Sequence, residues 1–344
     1  MISKAHGRAA RAALSGALVI GALGTFGLGA AQVSARELKV ATYLPPTHKI
    51  VALYEQLGKD LAADSKGDLT LKVYAGGTLG AGPFQQYKRA VEGTADIADI
   101  CHPFHSKVFA KTMLIVLPGS ATSAVDATSR LWNLPAGMLA SDYKEVHNVF
   151  TYTVSQAALT SRDKPVRSLA DLKGAKVFTP GAAFAPVISA WGGSPVPMDL
   201  NEMFNALSTG VVDMVALPAT SLMPPFRLAE ISKYTSVGVS GLFNPCGGIM
   251  NKESYAALTP SQKAVFDRHT GKAMSLKAAK IFDDWSDESF KMASDSKKVE
   301  VIQLPPTARK AMFDAAQPVV QKTLADLEKD GIKDARTVYE AINK

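Results

Sequence analysis

Few side chains in this sequence stand at a spacing that could break a bond. The densest constellation is Cys101-His102-Pro103-Phe104-His105, whose thiol and imidazoles could form a Cys/His nucleophile pair or part of a metal site. Neither chemistry is complete, because no third ligand or orienting acid lies nearby in the chain. Ordinary polar packing in a strand-end loop accounts for the same residues. Gly238-Val239-Ser240-Gly241 falls one position short of a G-x-S-x-G nucleophile elbow. H-E-x-x-H, a G-x-x-x-x-G-K phosphate loop and paired C-x-x-C motifs are absent. What remains is binding chemistry rather than catalysis.

The elements that must position such residues follow from the hydrophobic pattern. Leu38 to Thr42 alternates as a strand, ended by Pro45-Pro46. Ile50, Val51, Leu53, Tyr54, Leu57 and Leu61 recur at helical spacing. The Gly67-Asp68 turn leads to a strand from Leu69 to Tyr74. The glycine-rich Gly76 to Gly80 follows, then a helix from about Pro83 to Glu92 and a strand from Ala95 to Ile100. This β-α-β-α-β opening predicts an α/β sheet.

A second set begins near Leu159. It holds a short helix stopped at Gly174, a strand from Ala175 to Thr179, a helix from Phe184 to Trp191 and the connection Pro195-Val196-Pro197. Asp199 and Glu202 have capping-box spacing ahead of the apolar face Met203, Phe204 and Leu207. Val211 to Leu217 is a near-continuous apolar run suited to a strand covered on both faces, and another strand passes through Ile249 and Met250. Thr259-Pro260-Ser261-Gln262 opens a long helical region that keeps Val265, Phe266, Met274, Phe282, Trp285 and Phe290 apolar. A helix of that length can brace two domains. Thr307 to Leu327 reads as a further amphipathic helix, with no repeat or low-complexity tract.

Of the 344 residues, 47% are apolar and 20% charged, which suffices for one large or two medium cores and excludes collagen, disorder and a polytopic membrane protein. The first 35 residues contain no acid, open with Lys4, Arg8 and Arg11, run apolar from Ala12 to Gly29 and end Val33-Ser34-Ala35. That order predicts a secretory signal peptide cut after Ala35, with an uncleaved anchor as the alternative. Without those three basic residues the formal charge of +7 becomes +4. The other Lys and Arg residues are scattered among acids, which argues against a nucleic-acid surface. Cys101 and Cys246 are too few for a disulfide framework; they can form one bridge or stand as two buried thiols. Five histidines outside the leader argue against a dense metal site, and no cofactor motif is present. An exported two-domain α/β chain without catalytic motifs reads as a binder whose lobes close on a small solute.

Several stretches follow one another in a telling order over nearly all of the chain after Ala35. They are Leu38 to His48, Gly77-Thr78-Leu79-Gly80, Glu92-Gly93-Thr94-Ala95-Asp96, Asp171 to Val177, Gly193 to Met198 and Ala206 to Asp213. The series resembles the solute-binding proteins of tripartite ATP-independent periplasmic (TRAP) transporters, the DctP-like family. The resemblance implies an α/β, two-lobed periplasmic binding protein fold with an interlobe cleft and a long bracing helix. Lobe I would comprise residues 36–157 and 244–290, and lobe II residues 158–243 and 291–344. It further implies a periplasmic receptor, not an enzyme, that passes a small-molecule ligand to membrane permease subunits.

The resemblance also marks departures. Family members usually carry an arginine directly after the Lys-Val of one strand, where this chain has Phe178. A second basic position of some acid-sugar binders corresponds to Ala158, and the family's G-x-E-x-P corresponds to Met214-Val215-Ala216-Leu217-Pro218. A carboxylate stripped of water needs charge-assisted donors, and a phenyl ring cannot supply them. The exchanges therefore predict a less polar, aromatic or neutral solute packed against Phe178, Leu217 and Phe243 or Trp191. Met214 and Ala158 stand at the other exchanged positions. Strand-end loops add Tyr43, His48, Gln85, His102 and Phe104. The competing expectation is an organic acid held by a displaced cation, with Arg162, Arg167 and Arg227 as candidates. Two further functions compatible with the residues are a receptor feeding a sensor and a secreted hydrolase using Cys101 or a histidine.

Overall fold

The computed structural model describes residues 35–344, so the signal-peptide expectation lies outside the described residues. The chain first alternates β1 (Arg36–Ala41), α1 (Lys49–Asp64), β2 (Leu69–Tyr74), α2 (Gln86–Val91) and β3 (Ile97–Cys101). Then come α3 (Ala124–Trp132) and β4 (Val146–Thr153), after which the chain crosses over. Beyond the crossing lie β5 (Ala157–Ser161), β6 (Lys176–Pro180), α4 (Ala185–Ala190), β7 (Ser194–Met198), α5 (Met203–Thr209), β8 (Met214–Pro218) and β9 (Tyr234–Val237). The return brings β10 (Pro245–Asn251), α6 (Lys252–Ala256), α7 (Pro260–His269) and α8 (Gly271–Ser296). The last described elements are β11 (Glu300–Gln303), α9 (Pro306–Lys329) and α10 (Ala335–Ile342).

The strands form two sheets. One has the order β2-β1-β3-β10-β4 and the other β11-β9-β5-β8-β6-β7. Parallel β1, β2 and β3 follow from their helical crossovers, whereas β10 runs antiparallel between β3 and β4 because it arrives from the far lobe. The two crossing segments hold each other: Val154 N–H donates to the Asn244 carbonyl at 2.9 Å and Ala157 N–H to the Leu242 carbonyl at 3.2 Å.

Side-chain alternation explains why each sheet is coated on both faces. In β8, Met214 and Ala216 join a core that contains Trp191, Phe243 and Met312, whereas Val215 and Leu217 join Phe178, Met203 and Leu207 on the opposite face. The apolar run expected from Val211 is shorter than its sequence suggests. Val211 is exposed and the strand begins at Met214. The long helical region is divided at Gly271, whose φ of +64° a helix interior does not accommodate. What remains is α8, 26 residues long, and it does brace the lobes. Met274, Ala278, Phe282 and Trp285 pack into the first lobe's core and Ala293 into the second.

Pro195-Val196-Pro197, expected as a connection, is an edge strand. β7 pairs only with β6, which lets two residues without N–H groups sit in a sheet. Close packing between β10 and β4 depends on Gly247, where a Cβ would lie 2.1 Å from the Phe150 carbonyl oxygen. Gly247→Ala is expected to push these strands apart and lower stability by about 2 to 3 kcal/mol. A denaturant midpoint that stays at the native value would refute this.

Candidate functional site

A cavity opens between the lobes at the ends of β1, β3 and β8. Its open space measures about 650 Å³ with the mouth included. The first lobe contributes Tyr43 and Leu44 just after β1, His48 at the head of α1, Phe104 after β3, Tyr152 from β4 and Phe282 from α8. Strand periodicity places Asp99 and Cys101 on one face of β3, with Asn244 and Cys246 beside them. The second lobe supplies Pro180, Leu217, Pro218 and Phe226, with Thr220 and Ser221 from the turn after β8. Tyr43, Leu44, Leu200 and Phe226 also line an outer vestibule whose space, open solvent included, measures about 1420 Å³.

The wall is aromatic and stiff. Tyr152 stacks on Phe282 with centroids 5.6 Å apart and on Phe150 at 5.7 Å. Phe104 meets the exposed Phe84 edge-on at 4.9 Å. Cys101 and Cys246, opposite each other in the β3/β10 register, form a disulfide that is itself part of the wall. The bridge removes the nucleophile and metal readings of the Cys101 to His105 stretch, since a bridged sulfur is neither thiolate nor ligand. His102 is fully buried against Phe109 and hydrogen-bonds Tyr143 Oη at 3.1 Å, so it packs rather than lines the cavity.

The polar groups at the cavity are few. Among the described residues that line it there is no lysine or arginine. His48 Nδ1 accepts the Ile50 N–H at 3.2 Å, and burial pushes its imidazole down to about 4, so the ring is neutral at pH 7. Asp99, 2% exposed, is pushed up to about 7 by burial, which outweighs hydrogen bonds from Thr42 Oγ1 at 2.9 Å and Tyr54 Oη at 3.3 Å. Burial also raises the phenols of Tyr43, Tyr54 and Tyr152, with Asp99 adding to each shift. Ser221 Oγ and Asn244 Oδ1 lack any hydrogen-bond partner although these residues are only 2% and 7% exposed. Unsatisfied buried polar atoms facing a cavity are groups that a bound solute can satisfy.

The structure brings Tyr43, His48, Phe104 and Leu217 together at this cavity. Other expected residues lie elsewhere. Phe178 is buried one layer below, in the Leu217 cluster, while Pro180 two residues on reaches the cavity. Ala158 is buried beside Leu217 in the sheet register, and Met214 faces the opposite core. Trp191 donates from Nε1 to the Met312 carbonyl at 2.8 Å inside that core, where Phe243 also packs. Gln85 is exposed.

None of the three displaced-cation candidates sits at the inner cavity. Arg162 binds the Asp163 carboxylate and the Leu207 and Ser208 carbonyls, at the end of β5 away from Leu217. Arg167 pairs with Glu300. Arg227 edges the vestibule but is engaged twice by Glu230. The residues missed in sequence are Asp99, Tyr152, Ser221, Phe226, Asn244 and Phe282. Only Asp99 carried a signal, as an acid inside the apolar strand Ile97-Ala98-Asp99-Ile100.

Two lobes, paired crossing strands, a bracing helix and a cavity between the lobes form the architecture of a binding protein for a small solute. The chain belongs to the bacterial extracellular solute-binding protein family 7, DctP, whose model matches residues 40–326. A solute-binding protein of Albidiferax ferrireducens is 28% identical over 250 residues, 69% of this chain and 72% of that one. A TRAP solute-binding protein of Rhodoferax ferrireducens, solved with copurified benzoate, superposes with a TM-score of 0.83 at 22% identity, covering 90% of this chain and 96% of that one. A marine metagenome TRAP protein specific for aromatic acid ligands, solved with 3-hydroxybenzoate, gives 0.81 at 24% identity over 90% of this chain and all of that chain, 100%. Family and neighbours are transport receptors rather than enzymes. No helix among the described residues is long and apolar enough to cross a membrane.

Proposed function

We propose that this chain is the periplasmic receptor of a TRAP-type transporter and captures a small ring-bearing organic solute for delivery to membrane permease subunits. In this reading residues 1–35 are the export signal, cleaved after Ala35, and the lobes divide as residues 36–157 with 244–290 and 158–243 with 291–344. The observation that carries the ligand class is the inner cavity's lining: Tyr43, Phe104, Tyr152, Phe226, Phe282 and Leu217, with no lysine or arginine among the described residues that line it. Aromatic walls of this kind hold rings by area burial and edge or offset contacts. Structural relatives solved with benzoate, 3-hydroxybenzoate and mandelate support the same class. Others solved with glucuronate or galacturonate mark the alternative that this lining disfavours.

Thermal shift against a panel of ring compounds and sugar acids tests the reading. Ring compounds are expected to raise the melting temperature, and uronates to leave it unchanged. Phe104→Ala should weaken ring binding about tenfold or more, equivalent to at least about 1.4 kcal/mol, and leave the unliganded protein folded. Uronate binding with no response to any ring compound would reverse the conclusion.

A further inference from the structure

An acid solute poses an electrostatic problem in this cavity. Among the described residues, the only ionisable side chains lining it are Tyr43, His48, Asp99 and Tyr152. Asp99 is met by Thr42 and Tyr43 from the end of β1, by Tyr54 from α1, by Tyr152 from β4 and by Gly248, its register partner in β10. None of these is cationic. Two carboxylates brought together here would repel at close range in a poorly solvated space, unless they shared a proton. Asp99 can provide it. Thr42 and Tyr54 each donate one hydrogen bond to the carboxyl, one to each oxygen, which leaves acceptor and proton positions for a ligand.

The unpartnered groups mark a second polar point. In the β3/β10 register Asp99 faces Gly248 and Cys101 faces Cys246, and Asn244 lies two residues beyond. Four residues separate the Asp99 and Asn244 levels, the last of them the extended residue just before β10, which amounts to about 13 Å. The disulfide lies between those levels. A benzene ring with polar groups at opposite ends spans about 12 Å once a hydrogen bond is added at each end. Asn244 Oδ1 needs a donor and Ser221 Oγ can give or take one, which suits a hydroxyl.

We propose that the solute is a hydroxylated aromatic acid whose carboxylate shares a proton with Asp99 and whose hydroxyl satisfies Asn244 and Ser221. This rests on the ring-solute reading above and adds a proton to the binding equilibrium: ligand anion, ionised Asp99 and one proton form a complex in which one O–H bridges the two carboxyls. Affinity then falls as pH rises above neutrality, because the proton must be taken from an ever more dilute pool. That burial already favours the protonated Asp99 near neutral pH is consistent with the scheme.

Calorimetric titration of the exported protein with 4-hydroxybenzoate between about pH 6 and pH 9 tests it, in buffers of different ionisation enthalpy. The expected result is a tenfold loss of affinity per pH unit at the alkaline end, with uptake approaching one proton per ligand. Asp99→Asn, whose amide donates at every pH, should bind the acid with a flat profile and more tightly than the native protein at pH 8.5. Asn244→Ala with Ser221→Ala should erase the preference for 4-hydroxybenzoate over benzoate while benzoate still binds. A pH-independent affinity in the native protein overturns the proposal, as does tighter binding of tyramine than of the acid, which would make Asp99 a counterion. Binding of 4-hydroxybenzyl alcohol without the acid at any pH overturns it but leaves the ring-solute reading standing. No response to any ring compound removes that reading itself.

Discussion

Removing the Cys101–Cys246 bridge, by reduction or by Cys101→Ser with Cys246→Ser, is expected to lower the unfolding free energy by about 5 kcal/mol. The two cysteines are 145 residues apart, so the bond closes a loop holding most of the second lobe and both crossing segments. Opening it releases that loop's chain entropy in the unfolded state. For a domain of this size the melting temperature should fall by roughly 8 °C. The sulfurs also form the cavity wall between Asp99 and Asn244, so ring compounds should bind the serine variant less tightly. A denaturant midpoint identical in oxidised and reduced protein would refute the structural half of this expectation, and an unchanged affinity the functional half.

Stability should also peak near pH 6.5 and decline on both sides for different reasons. His102 and His48 are pushed by burial from the ordinary 6.5 down to about 3 and about 4. Their neutral forms are favoured in the fold, so the stability they contribute is present above pH 6.5. It is lost as pH falls through those values. Asp99 runs the other way. Its carboxyl moves from 3.8 up to about 7, so the stability of its protonated form is present below pH 3.8 and is lost as pH rises through 7. Three pH units at 1.36 kcal/mol each give a cost on the order of 4 kcal/mol for holding Asp99 ionised at pH 8. Asp99→Asn should recover most of it at pH 8 and change little at pH 4. Chemical unfolding at both pH values measures the difference, and equal effects at the two would contradict the assignment.

Much of the architecture was legible in the residues because short-range rules produce it. Capping boxes at Asp199 and Thr259, the glycine stop at Gly174 and the alternation in β1 all act over a few residues. Elements whose stability comes from neighbours were not visible. β9 and β11 are four residues each and persist because β9 pairs with β5 and carries β11 at the edge of the second sheet. β4, Val-His-Asn-Val-Phe-Thr-Tyr-Thr, has no clean period because both its faces are covered. The site divides in the same way. Tyr43 and Phe104 follow strands and could be placed in a cleft by that fact alone. Phe178, marked by the missing arginine, instead fills a core, because the second lobe packs α5 over that face of β6.

Periodicity and caps in the chain were enough to foresee two α/β units and a long helix between them, because these signals act within a few residues of one another. The missing guanidinium at Phe178 was read from the family resemblance instead. That Asp99, the disulfide, Tyr152, Phe282, Ser221 and Asn244 share one cavity follows from long-range packing and from nothing local. Strand alternation fixes the face a side chain takes but carries no record of which distant segment will cover it. The antiparallel return of β10 between β3 and β4 does that here, and it seats a buried acid among rings and orphaned polar atoms that no local pattern joins.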